Sequence, residues 1–306
     1  MDELQIGLMA RSATSWPLFV AESQGYFASA QLDVRIMASN QAEAHFRRLL
    51  DGAYSVGHQN ADHVLRAAAT GAELTIFLRL TRVPYYLVTV PEITNYADLV
   101  GRTVASEPLG RGHGPELQRM FSANDIDEQA CQVLAMGGGA ERLRALREGR
   151  ASAGLFDPGT AARLAHQGFR VLDNSGPYLD ERVGPVAAAR SEWLRTNRAL
   201  ARSYVLSYLL AEQWLKEPRN RSTAAAILAG AIDLPLDAAE TAWDLLMGFP
   251  QTFTASQEVR PEELVRLAGL AANSELPPKD PARLQSLVDG TIVSEAKAAA
   301  GERLLL

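Results

Sequence analysis

Five short polar stretches carry the side chains of this sequence that could do chemistry. The most varied is His58-Gln59-Asn60 with Asp62-His63, directly after the run Tyr54 to Gly57. Imidazole, carboxamide and carboxylate groups side by side offer every combination of donor and acceptor, more than a helix cap requires. Pairing of Asp62 with His63 would raise the imidazole pKa. Solvated loop residues and caps are the alternative for the same stretch. A metal site is not indicated: His58 and His63 stand five apart, off a shared helical face, with no third ligand by motif.

The second stretch is Glu107 to Gly114. Gly110, Gly112 and Gly114 permit close backbone approach to a ligand, while Arg111 and His113 add positive character. It looks like a phosphate-cradling glycine loop but lacks the Lys-Ser/Thr that completes a P-loop. The third offers Arg11, Ser12, Thr14 and Trp16. Hydroxyls and backbone N–H groups there suit an anionic head, and Trp16 either stacks on a ligand ring or belongs to the core. Ser39-Asn40 either caps a helix or meets the ligand, and so does Asp157 of the pair Phe156-Asp157. Arg79 and Arg82 could each pair bidentately with a carboxylate or sulfonate, and Arg82 is the expected contact. There is no Ser/His/Asp order, no HExxH and no convincing acid pair. Cys131 reads as a small buried hydrophobe.

These stretches sit at comparable places in a duplicated framework. Leu49-Leu50-Asp51-Gly52-Ala53-Tyr54-Ser55-Val56-Gly57 and Leu146-Arg147-Glu148-Gly149-Arg150-Ala151-Ser152-Ala153-Gly154 both read Leu, any, acid, Gly, any, any, Ser, any, Gly. Fourteen residues past each final glycine stands another, Gly71 and Gly168. Phe27 to Asp33 echoes Phe121 to Asp127, and Ala42-Glu43 echoes Ala140-Glu141. A helix stopped by a glycine cap, a short strand and a new helix make an αβα unit, used twice. Two similar α/β lobes imply a cleft between them, where small ligands bind. Ligands of such lobes sit beyond the carboxyl ends of strands, against helix N-termini, and that rule selects the stretches above.

The totals bound the reading. A chain of 306 residues, 47% hydrophobic and 22% charged, is long enough for two domains. Net charge is −6 without a basic run, which excludes the basic face of a nucleic-acid-binding protein. One cysteine excludes an internal disulfide and a thiolate metal cluster. No run approaches the roughly 18 apolar residues of a membrane span. Met1 to Leu4 runs straight into a strand, with neither a basic n-region nor an apolar h-region. The protein is then periplasmic if an export signal was removed, and otherwise cytoplasmic.

In order along the chain, strands are expected at Leu4 to Met9, Leu32 to Ile36 and Tyr54 to Gly57, alternating with helices in parallel βαβ units. The first of these helices has Ser15 as N-cap and Pro17 in its first turn. Leu74 to Leu80 and Tyr85 to Val90 read as strands leading out of the first lobe. Asn95 to Gly101 reads as a short capped helix, and Arg102 to Ser106 as the first strand of the second lobe. The chain returns through Gly184 to Ala189, then becomes largely helical from one long helix, Ser191 to Lys216. This places lobe one at residues 1–88 plus 186–306, with a helical C-terminal extension, and lobe two at 89–185.

Trp16-Pro17-Leu18-Phe19-Val20-Ala21-Glu22-Ser23-Gln24-Gly25-Tyr26-Phe27 with Leu32-Asp33-Val34 resembles the "P-x-x-x-A-x-x-x-G-Y-F … L-x-V" opening of one family. The family is that of periplasmic-type solute-binding proteins for sulfonates, taurine, nitrate and thiamin-precursor pyrimidines. Asp98 to Ala105 resembles its "D-L-x-G-K-x-V-A" segment, and Leu146 to Gly154 its "L-x-x-G-x-x-D-A", with Ser152 where Asp is usual. The likeness extends to about Trp243. It implies an α/β type II periplasmic-binding-protein fold, two lobes closing by hinge motion on a small ligand. It further implies a monomer that hands an anionic or aromatic solute to an ABC permease, with no cofactor. The implied contacts are Arg11, Ser12, Thr14, Trp16, Asn40, His58, Gln59, Asn60, Arg82, Glu107, Gly110, Arg111, His113, Phe156 and Asp157. The same fold also carries enzymes. His63 falls where the fungal thiamin-pyrimidine synthase has its consumed histidine, but that enzyme's cysteine-rich iron motif is absent. The loop Arg11 to Ser15 lacks the cysteine of aromatic sulfinate desulfinase. The alternative is therefore a cytoplasmic lyase or decarboxylase with His58, His63 or His113 as acid/base.

Overall fold

Apolar strands bounded by glycine-capped helices build two sheets of the same order. The computed structural model describes residues 1–39, 41–109, 113–136, 138–178, 183–249, 253, 256–270 and 280–301. In the first half the chain forms β1 (Asp2–Leu8), α1 (Trp16–Ser23), α2 (Tyr26–Ser29), β2 (Leu32–Ala38), α3 (Ala42–Leu50), β3 (Val56–Asn60), α4 (Ala61–Ala69) and β4 (Leu74–Arg79). It crosses in β5 (Tyr86–Thr89) and continues through β6 (Thr103–Ser106), α5 (Gly114–Ala123), β7 (Gln132–Ala135), α6 (Gly139–Arg147), β8 (Ala153–Phe156), α7 (Pro158–His166) and β9 (Arg170–Asn174). It returns in β10 (Pro185–Arg190). The sheets run β2-β1-β3-β10-β4 and β7-β6-β8-β5-β9. In each, three parallel strands are followed by an antiparallel fourth, supplied by a crossing segment.

The duplication reaches the backbone dihedrals. Gly52 and Gly149 have φ of 83° and 69°, and Gly71 and Gly168 have 90° and 89°. Only glycine adopts these values without steric cost, so each stops a helix at the same point of its repeat. Gln31 and Asp125, which occupy equivalent places in the second echo, are both left-handed as well, at 61° and 57°.

Both faces of each sheet are covered, which explains why the strands read as nearly continuous apolar runs. Leu4, Ile6, Leu8, Phe19, Phe77 and Tyr204 fill one side of the first sheet; Leu49, Tyr54, Leu65, Ile76 and Val186 fill the other. In lobe two, Leu87, Val104, Leu117, Phe121 and Leu155 form one core layer, and Tyr86, Val88, Leu146 and Phe156 another. Cys131 is buried, its thiol donating to the Leu99 carbonyl at 3.3 Å.

Four expectations are corrected. β5 pairs with β8 and β9, so the first crossing falls between Arg79 and Tyr86, ahead of residue 88. β9, which no sequence signal announced, forms an edge of the second sheet. The helix expected from Ser191 to Lys216 breaks into α8 (Ser191–Thr196) and α9 (Arg198–Lys216). Asn197 leaves helical geometry at φ −115°, ψ 34°, and its side chain donates to the Trp193 carbonyl at 2.9 Å. Finally, the C-terminal helices serve both lobes. They are α10 (Arg221–Ile232), α11 (Leu236–Met247), α12 (Pro261–Leu270), α13 (Pro281–Ser286) and α14 (Thr291–Ala300). α10 packs on α1, whereas α11 lies along α7 of lobe two. There the Tyr86 hydroxyl donates to the Leu245 carbonyl at 2.8 Å, and His166 meets Thr241 and Asp237 at 2.9 and 3.2 Å.

Candidate functional site

Between the lobes lies a cleft of about 1960 Å³, reached by the segments that follow β1, β2 and β3 on one wall and β6, β7 and β8 on the other. A pocket for one small molecule needs roughly 300–1,000 Å³, so this opening has room to narrow around a solute. α1, α3, α4, α5, α6 and α7 all begin at the ends of these strands. α7 is capped by Asp157, and the Glu107 carboxylate accepts from the His113 amide just ahead of α5. The N-caps of α1, α3, α4, α5 and α6 make no side-chain capping bond. Uncapped first-turn amides favour negative charge nearby.

The lobe-one wall is built on β3. His58, Gln59 and Asn60 are strand residues, not the loop the sequence suggested, and pair with Ala187, Val186 and Pro185 of β10. Alternation along the strand sends neighbouring side chains to opposite faces. His58 Nε2 lies 2.5 Å from the Tyr204 hydroxyl of α9. Burial, with a smaller contribution from His45, lowers its pKa from 6.5 to about 3. Gln59 Oε1 lies 3.0 Å from His45 Nε2, whose imidazole burial also holds below its ordinary value. Asn60 occupies the N-cap of α4 without capping it. His63 packs edge-on against Phe46, ring centres 5.2 Å apart. The expected Asp62–His63 pair does not form: Asp62 binds Arg66 at 2.8 Å, one helical turn on. Burial dominates at His63 and lowers its pKa, against the raising influence of Asp62 and of Glu107 on the facing lobe. Ser12 and Thr14 line the cleft with their hydroxyls 2.7 Å apart, and Arg11 Nε donates to the Ala231 carbonyl at 2.9 Å.

The lobe-two wall is ionic. His113 stacks on Tyr85 with ring centres 3.7 Å apart, and its Nδ1 lies 3.4 Å from Glu116 Oε1. Burial works against the imidazolium, but Glu116, by charge and hydrogen bond, and then Glu107 outweigh it and raise the His113 pKa. Burial likewise opposes ionisation of Glu116, where His113 and then Arg82 prevail and lower the pKa. Arg142 is 4% exposed; its Nε donates to the Leu155 carbonyl at 3.0 Å, and Nη1 stands 3.7 Å from Glu107 Oε1. Arg82 lines the cleft beside the hinge. Arg79 does not: it pairs with Glu263 at 2.8 Å and donates to the Val183 carbonyl.

Three site expectations change with these contacts. Trp16 is fully buried, its indole N–H donating to the Ala224 carbonyl at 3.0 Å, so it is core and stacks on no ligand. Ser15 makes no side-chain cap, and Asp157 makes one, accepting from the Gly159 and Thr160 amides and the Thr160 hydroxyl. Gly114 is required by its own chain: a Cβ there would stand 2.0 Å from the Pro108 carbonyl oxygen. Phe156 touches the cleft but is 1% exposed and belongs to the lobe-two core. Asn40, Gly110, Arg111 and Gly112 lie outside the described residues. Sequence reasoning missed Tyr85, Glu116, Arg142 and Tyr204. Only Glu116 left a local signal, an acid three residues after His113 at a helix start.

Residues 12–220 match the family model described as NMT1/THI5 like. The chain belongs to the NMT1/THI5-like family. Solved structures similar to it include the periplasmic nitrate-binding protein NrtA from Synechocystis PCC 6803, with TM-score 0.80 and 13% identity over 99% of this chain and 90% of that one. The periplasmic aliphatic sulphonate binding protein SsuA from Escherichia coli has TM-score 0.70 and 20% identity, covering 93% and 97%. The Candida albicans CA3427 gene product, described as exhibiting the generic periplasmic binding protein fold, has TM-score 0.66 and 12% identity, covering 95% and 97%. No curated protein sequence matches this one. This NMT1/THI5-like chain has the type II periplasmic-binding-protein fold, in which the two sheets described above face each other across the cleft.

Proposed function

We propose that this protein is the substrate-binding component of an ABC transporter, capturing a small anionic or aromatic organic solute between its lobes in the periplasm. The observation that carries this reading is the convergence of six helix starts on one cleft, five without a side-chain cap from the N-cap residue. Binding partners named for similar folds, nitrate and aliphatic sulphonates, are anions. The proposed contacts are Ser12, Thr14, His58, Gln59, Asn60, Arg82 and His113. Lobe closure supplies affinity and no bond changes. Against His58 as the acid/base of the enzyme alternative, a pKa of about 3 makes it too weak a base near neutral pH.

A thermal-shift screen against sulfonates, carboxylates, nitrate, pyrimidines and aromatic acids tests this. A solute at a hundred times its Kd stabilises the folded state by about 2.7 kcal/mol. Absence of any shift across the panel, or conversion of a bound solute to product, would overturn the proposal.

A further inference from the structure

The two walls of the cleft differ in kind. On lobe one, three imidazoles lie in or just behind the wall, His45, His58 and His63, and burial holds all three toward the neutral form. The charged pair there, Asp62 and Arg66, is mutually satisfied. Two polar atoms of this wall's cleft-lining residues have no hydrogen-bond partner among the described residues, Gln59 Nε2 and His63 Nδ1, and behind them neither has His45 Nδ1. Gln59 is only 4% exposed, and both residues line the cleft. Its carboxamide is oriented by the Oε1 contact to His45, which leaves Nε2 as the donor still to be used. Lobe two carries the ions: Arg142 and Glu107, and His113, Glu116 and Arg82. His63 and Glu107 feel each other's charge, so the walls face one another at that level.

We propose that the solute is two-ended: an organic anion whose charged group meets the ionic wall of lobe two, and whose uncharged hydrogen-bonding group, a ring nitrogen or an amide, meets Gln59 and His63 of lobe one. This rests on the solute-binding reading and narrows it. A buried donor left unmatched in the closed complex penalises any ligand lacking the acceptor, which is how such sites discriminate. Inorganic oxyanions and plain alkanesulfonates lack the second group.

Calorimetric titration of matched probes tests the idea. Pyridine-3-carboxylate and 4-carbamoylbenzoate carry the second group; benzoate is the control without it, and nitrate and ethanesulfonate are small anions. At least one two-ended probe is expected to bind tenfold or more tighter than benzoate. Gln59→Leu and His63→Leu should each erase that preference, leaving the two-ended probes no tighter than benzoate. Should Gln59→Leu fail to fold, because it strips His45 of its partner, His63→Leu carries the test alone. Benzoate binding as tightly as both two-ended probes, or nitrate or ethanesulfonate binding tightest, overturns the two-ended solute and leaves solute binding standing. No heat or thermal shift with any probe or with the wider screen overturns both.

Discussion

His58 makes the stability of this protein depend on pH in a way that can be calculated. Its imidazole is buried against Tyr204 and Tyr208, with a pKa lowered from 6.5 to about 3. The unfolded chain therefore takes up a proton that the folded protein refuses. A depressed pKa gives stability that is fully present above the unfolded value and is lost as pH falls from there toward the folded value. Between pH 7.5 and 4.5 the loss from this one group is about 3 kcal/mol, and it changes little if the folded pKa moves by a unit, because pH 4.5 stays above it. The clean perturbation is His58→Gln, which removes the titration and keeps a group able to bond the Tyr204 hydroxyl. Urea unfolding of both proteins at the two pH values gives four free energies. His45 and His63 also titrate in this direction and are common to both proteins, so the double difference reports His58 together with its smaller coupling to His45. The variant should lose about 3 kcal/mol less than the parent on acidification. A double difference under about 1 kcal/mol would mean that His58 is not held neutral in the fold, and the account of the lobe-one wall would fail with it.

Three further outcomes follow from the contacts. Trp16→Ala should cost about 3–5 kcal/mol of stability, as large-to-small core changes do, and solute affinity measured on the folded fraction should not change. Retained stability with lost affinity would return Trp16 to the cleft. Asp157→Ala removes the cap of α7 and should lower stability by about 1 kcal/mol in chemical denaturation; a loss of affinity without that change would make Asp157 a ligand contact. Gly114→Ala forces the Pro108 carbonyl away from the start of α5 and should destabilise by about 1–3 kcal/mol, which a lowered melting temperature would report and an unchanged one would contradict.

Much of the fold was legible because the repeat is written in residues whose backbone demands are local. Gly52 and Gly149, each ending a helix before a short apolar strand, announce an αβα unit twice, and both adopt the left-handed conformation that only such residues take easily. The site was legible as places along the chain, since strand ends and helix starts follow from the same pattern. What was not legible is which side chains at those places are already spent. Nothing around Trp16 separates a ligand platform from a core residue; the deciding group is a carbonyl 208 residues away. Tyr204, which fixes His58, is 146 residues distant. The Asp62–His63 reading failed because neighbours in sequence diverge on a helix, whereas Asp62 and Arg66 meet one turn apart. Both crossings were expected, at Tyr85 to Val90 and at Gly184 to Ala189; what was hidden in this exchange of strands is that β5 already belongs to the second sheet, between β8 and β9.

That exchange ties the site to the connections between lobes. β5 follows the last strand of the first sheet and enters the second beside β8; β10 follows the last strand of the second and enters the first beside β3. Both inserted strands therefore hydrogen-bond to a strand whose end borders the cleft, at His58 to Asn60 in one lobe and at Phe156 in the other. The Ala61 amide, at the start of α4, donates to the carbonyl of Gly184 at 3.0 Å, just before β10. In lobe two the Tyr85 amide donates to Ser175 Oγ at 2.9 Å and its carbonyl accepts from the Ser175 amide at 2.7 Å, so the two crossings are bonded to each other next to the His113 stack. Rotation about these crossings must redirect the ends of β3 and β8, and a solute held at those ends must in turn restrain the rotation. α11, bonded to lobe two through Tyr86 and His166, adds a third restraint that the two strands alone would not impose. If the lobes close on a solute as proposed, binding and closure are one equilibrium: affinity for a solute then includes the free energy of repacking the crossings and α11, and a change at either place alters affinity without touching the ligand.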